Sequence, residues 1–168
     1  MKGQVNIEFI LSVAIFIIVI ATLSFNIINT VPLFHAESAN EIKKSKSFQV
    51  SELLVKDTGY PPDWHLRGIE NADRLGLRMT NGDQSVLDWD KVTTLSYYCS
   101  PGTGSYDTVV EKLGLNAKDR LLINITDLNG QSVMECFPPA ISEKEPIFWI
   151  YRFGLINGWI VRIKVAVY

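Results

Sequence analysis

From Phe9 to Ile28 the chain reads FILSVAIFIIVIATLSFNII, twenty residues without a charge. As an α-helix this run spans about 30 Å, the thickness of a bilayer's hydrocarbon core, so it predicts a transmembrane segment over 9–28. Ser12, Thr22 and Ser24 fit the prediction, because a helical hydroxyl bonds back to its own backbone. Pro32 interrupts the helical pattern and is expected to kink or briefly break it. Helical spacing resumes from Phe34 to Lys56, with Ala39, Ile42, Val50, Leu53 and Leu54 as an apolar stripe. Glu37, Glu41, Lys43, Lys44 and Lys46 form the solvated side. Gly59 and Pro61-Pro62 stop the helix. A helix from Gln4 to Lys56 is about 80 Å long, half of it suited to lipid and half to packing on a head domain.

Beyond residue 59 the periods shorten and mix. Arg74–Thr80 reads as a short strand before an Asn81-Gly82 turn. Asp88 or Asp90 caps a helix over Lys91–Tyr97. Ser100–Ser105, with Gly102-Thr103-Gly104, is a loop. Asp107–Leu113 is a short helix stopped by Gly114. Leu121–Asp127 alternates and leads into Asn129-Gly130, a hairpin signal. Two strong strands close the chain, Ile147–Leu155 and Trp159–Tyr168, joined at Asn157-Gly158. In the last, Trp159, Val161, Ile163, Val165 and Val167 share one face. The fold class is therefore α+β: a long N-terminal helix over 4–58, kinked near Pro32, then a head over 59–168 with a mainly antiparallel β-sheet and short helices. Tyr60-Pro61-Pro62-Asp63-Trp64 is aromatic and stiff, and is expected to fold its rings into the core rather than hold a partner.

The 168 residues suffice for one domain plus an appendage. A net charge of −2 gives no reason to expect nucleic acid as a partner. Cys99 and Cys136 form no CxxC or Cys/His cluster, so no metal site is expected. They either pair as one disulfide, as in exported domains, or remain two small buried thiols.

What precedes the apolar run is unusual. Glu8 sits at its edge, where a carboxylate still reaches water and favours a helix N-terminus. A cleavable secretory signal fits poorly, because the run is long, Glu8 precedes it, and Ala36, Ser38 and Ala39 make a poor cleavage site. A plain single-span anchor and a filament subunit remain. The stretch Gly3-Gln4-Val5-Asn6-Ile7-Glu8-Phe9, directly before the apolar run, resembles the class III signal peptide of archaeal type IV pilin-like proteins. Members of that family often carry Ser where this chain has Asn6. The resemblance implies a leader of residues 1–3, cleavage by a prepilin peptidase between Gly3 and Gln4, and retention of the helix in the mature subunit. It implies that Glu8, beside Phe9, pairs with a neighbouring subunit's N-terminal amine and sets assembly register. Its partners are then membrane lipid first and other pilin subunits afterwards. Leu53-Leu54, Gly59 to Trp64 and Leu75-Gly76-Leu77 also resemble a head pattern of those proteins.

The expected role is thus a structural subunit, by preference a minor one, of a surface filament with its head outside the cell and adhesion among its possible tasks. The alternative is a single-span protein whose external domain binds a partner and never polymerises. Lysine counting does not orient the span, with Lys2 on one side and Lys43, Lys44 and Lys46 on the other. The leader resemblance and the sequon Asn124-Ile125-Thr126 favour an external head. Asn124 shares a strand face with Leu122 and Thr126, the more polar face and the one expected to be exposed. His35 and His65 are isolated. Asp83, Asp88 and Asp90 lack the spacing of a calcium loop. With no phosphate loop, dinucleotide or zinc-protease motif, no enzyme activity and no cofactor are expected.

Overall fold

The computed structural model describes residues 7–100, 105–138 and 148–168, and of 31–36 the backbone only. The chain divides into two compact units, Met1–Glu41 and Ile42–Tyr168. Helix α1 is Ile7–Lys56, so the division falls inside it rather than at its end. The helix continues across Pro32, and the brief break expected there is absent. Proline's fixed φ is itself helical, so what the ring removes is one backbone donor. The Thr22 and Thr30 hydroxyls donate to the carbonyls of Val19 and Asn26, as helical hydroxyls in apolar surroundings do.

In the unit Ile42–Tyr168, the last turns of α1 bury Ser47, Val50, Ser51, Leu54 and Val55, a stripe of i, i+3/i+4 spacing. It differs from the expected stripe: Ile42 is exposed and two serines replace it. Their small size brings the helix close to the sheet. The Ser47 hydroxyl donates to the Lys43 carbonyl and accepts the Val167 N–H at 2.8 Å. After α1 come a short helix α2 (Trp64–Arg67), a 3-10 turn (Ile69–Asn71), α3 (Trp89–Cys99) and α4 (Tyr106–Lys112). Four antiparallel strands follow, β1 (Leu121–Asp127), β2 (Ser132–Cys136), β3 (Ile150–Ile156) and β4 (Trp159–Val167), in the order β2-β1-β4-β3. Ile123, Ile125, Met134, Val161, Ile163 and Val165 of the sheet join Val50, Leu54, Val92, Leu95 and Val109 of the helices in one core. The β3–β4 turn carries Asn157 at φ 52° and Gly158 at φ 82°, the two positive values that a tight two-residue hairpin requires.

Arg74–Thr80 is not a strand. Its backbone bonds scatter: Arg74 O accepts from Tyr60, Leu77 N donates to Leu54, Arg78 N to Asp57 and Met79 N to Val86. Among the described residues it forms only isolated bridges, Tyr60 with Arg74 and Arg78 with Leu87. The segment is a seam between the end of α1 and the loop before α3, and no single neighbour runs alongside it. Trp64 explains the aromatic motif beside it. Its ring is fully buried and its Nε1–H donates to the Gly76 carbonyl at 3.0 Å. Gly59, at φ 80°, lies against that ring, and a Cβ there would approach Trp64 Cδ1 to 2.5 Å.

Two polar side chains complete the core. Helix α3 starts at Asp88, whose carboxylate accepts the Asp90 N–H. One turn on, Lys91 is fully buried, and its Nζ donates to the carbonyls of Thr58 at 2.8 Å and Arg78 at 2.9 Å. Burial pushes its pKa below the ordinary lysine value, against the pull of Asp88 and Asp57. At the start of β1 the Tyr106 hydroxyl donates to the Leu121 carbonyl and accepts the Leu121 N–H, both at 2.8 Å. The β1–β2 register begins at Ile123, paired with Cys136, so Leu121 lies outside it, and the phenol stands in for a strand partner there. Burial pushes the Tyr106 pKa up to about 12.

Candidate functional site

Gly3 and Gln4 lie outside the described residues. Glu8 and Phe9 stand in the first turn of α1, both exposed, with the carboxylate at the helix end that favours negative charge. The 24 residues Ile7–Thr30 are long and apolar enough to cross a membrane, and none of that span is buried within the chain. Ile15, Phe16, Ile17 and Ile18 are consecutive, so their side chains point to every side of the helix, and all four are exposed. A helix that is apolar all round is matched to lipid or to other apolar helices rather than to water.

In the unit Ile42–Tyr168, Cys99 and Cys136 are joined by a disulfide, with Cα atoms 4.9 Å apart. The bond ties the end of α3 to the end of β2, an edge strand. The face of Asn124 is not the open one expected. Leu122 and Thr126 are buried, Asn124 is half-buried, and its Oδ1 and the Thr126 hydroxyl are enclosed without a hydrogen-bond partner among the described residues. Leu122 instead joins Ala166, Tyr168, Phe137 and Trp149 in a second small apolar cluster on this side of the sheet. A strand paired on both edges and covered on both faces disfavours glycan attachment at Asn124. His65 packs edge-on to Trp64, and its Nδ1 is buried. The side chain of His35 lies outside the described residues. No group of three potential metal ligands occurs among the described residues.

Sequence reasoning missed one site. Two turns, Leu128–Gly130 and Asn157-Gly158, and the first residue of α3 enclose a cleft of about 600 Å³. Trp89, Leu128, Trp159 and Ile160 supply its apolar wall, and Asp127, Asn129 and Asn157 its polar groups. Strand alternation places Trp159 on the core face with Val161. Yet it pairs with Ile156 at the mouth of the hairpin and is 76 % exposed. Trp89 and Leu128 are 43 % and 65 % exposed. Asp127 is held in place: its Oδ1 accepts the Gln131 N–H at 2.7 Å, and the Asn129 amide reaches its Oδ2 at 3.4 Å. Alternation alone assigns Trp159 to the core, so no sequence signal marked the cleft.

Comparison with protein-family models, with curated proteins and with solved structures finds no match.

Proposed function

We propose that the chain is a structural subunit, by preference a minor one, of an archaeal type IV pilus-like surface filament, processed by a prepilin peptidase before Gln4. The observation that carries the reading is the first half of α1. An all-round apolar helix with a carboxylate in its first turn suits two successive surroundings, lipid before assembly and sister helices after it. In a water-poor bundle Glu8 needs a positive partner, and the N-terminal amine freed by cleavage is one. The disulfide supports an exported head, since such bonds persist in oxidising compartments.

N-terminal mass analysis of the mature protein should show residues 1–3 missing, and sheared surface fractions should contain it. Glu8→Gln should leave membrane insertion intact and reduce the sheared fraction by about tenfold or more, as expected for a lost buried charge pair. An intact Met1 in the mature protein refutes processing, and normal assembly of the Gln variant refutes the pairing role. The second reading, a single-span protein whose external domain binds a partner without polymerising, is favoured by the cleft between the two turns. It predicts membrane-bound protein and none in the sheared fraction.

A further inference from the structure

We propose that the cleft between the β1–β2 and β3–β4 turns binds a neutral saccharide. The proposal deepens either functional reading, and its test depends on neither processing nor assembly.

Two indoles in one cleft are the first argument. Exposed tryptophan carries a cost in water, and Trp159 and Trp89 stand in a concavity whose volume is that of small-ligand sites rather than of a flat docking face. Aromatic faces of this kind take a flat apolar surface, such as the C–H face of a pyranose ring. The polar groups are the second argument. A wholly apolar ligand would strip water from the Asp127 carboxylate and leave it poorly compensated. The side-chain amides of Asn129 and Asn157 are donors and acceptors at once, and Asp127 accepts, so the complement is a ligand whose groups both donate and accept. Hydroxyls do this.

Charge is the third argument. Among the described residues no lysine or arginine lines the cleft, Asp127 does, and Asp88 and Asp90 flank Trp89 in sequence, so an anionic ligand is disfavoured. A cationic ligand meets a carboxylate already engaged by the Gln131 N–H and approached by the Asn129 amide, and two indoles rather than a closed aromatic cage. The site is also preformed. The β3–β4 turn is a two-residue hairpin, and Leu155 next to it is fixed from the other side by bonds from Leu87 N and to Ser85 O.

The test uses the full chain in a polyoxyethylene detergent, so that no sugar headgroup competes. Neutral trisaccharides of glucose, galactose, mannose and N-acetylglucosamine are titrated up to tens of millimolar, followed by tryptophan fluorescence and saturation-transfer NMR. At least one should give a saturable response. Trp159→Ala should weaken it by about tenfold, the loss expected for removal of a central aromatic anchor. Asp127→Asn should weaken it several-fold. Circular dichroism of both variants should match the parent, which separates loss of binding from loss of fold. Absence of a saturable response from all four sugars overturns the proposal, as does a response that Trp159→Ala leaves unchanged. Choline binding where the sugars fail would make the cleft a cation site. A fall in self-association on Trp159→Ala, with no sugar response, would make it a contact between copies of this chain.

Discussion

Removing the Cys99–Cys136 bond should cost the head a large part of its stability. The bond closes a loop of sequence separation 37 that contains α4 and β1. Cross-linking a loop of that length removes roughly 13 cal/mol/K from the unfolded ensemble, or about 4 kcal/mol at 25 °C. Domains of this size are stable by about 5–15 kcal/mol, so the loss is a substantial fraction of the whole. The compact unit Ile42–Tyr168 has an unfolding entropy of about 0.27 kcal/mol/K at the usual value per residue, so the melting point should fall by about 15 °C. All four tryptophans, Trp64, Trp89, Trp149 and Trp159, lie in that unit. Their fluorescence therefore reports its melting without interference from the apolar half of α1. The assay compares the parent, the Cys99→Ala/Cys136→Ala double variant and the parent in reductant, all as full chains in detergent. Reductant removes the bond and keeps both sulfurs, whereas the variant removes both. A loop-entropy origin requires the two samples to lose about the same. A drop below about 4 °C in both refutes the reasoning, and a large drop in the variant alone assigns the loss to packing at two buried positions instead.

Two further predictions concern the buried polar side chains. Lys91→Met keeps the stem's volume but leaves the Thr58 and Arg78 carbonyls without their donor, and should destabilise the head by about 2–4 kcal/mol in urea titrations. Because the folded pKa of Lys91 lies below 10.5, the unfolded chain binds the extra proton between the two values, and stability rises with pH through that window. The gap between parent and variant should accordingly widen from pH 7 toward pH 10, and a gap that narrows contradicts the assigned burial. Tyr106→Phe keeps the ring and unpairs both backbone groups of Leu121, at a cost of about 2–4 kcal/mol, with faster hydrogen exchange at the Leu121 amide. Tyr106 holds its proton up to about pH 12 when folded but to about pH 10 when unfolded, so the parent should lose stability between those values and the Phe variant should lack that component.

Some of the architecture follows from local chemistry alone. The apolar run of α1, the cap at Asp88, the stop at Gly114 and the turns at Asn129-Gly130 and Asn157-Gly158 each rest on properties of a few adjacent residues. Period and turn chemistry were therefore enough to locate them. Arg74–Thr80 departs from the strand its residues suggest, because strand-forming residues describe a preference for extended backbone, whereas a strand needs a neighbour running beside it. Here the hydrogen bonds go to the end of α1 and the residues just after it, to the loop before α3 and to Lys112 of α4. The face of Asn124 was misread for a related reason. Alternation reports polarity along one strand, and whether a face is covered depends on what packs over it, here the cluster around Leu122, Ala166 and Tyr168.

The long apolar helix, the α+β class, the hairpin turns and the edge position of Glu8 are legible along the chain, because each depends on contacts within a few residues. That Cys99 and Cys136 meet, that Lys91 and Tyr106 stand in for backbone partners, and that Trp89 and Trp159 line one cleft follows from packing alone. Each of these joins groups separated by 13 residues or more along the chain. No spacing rule spans such a distance. The choice is made by which surfaces the core brings together.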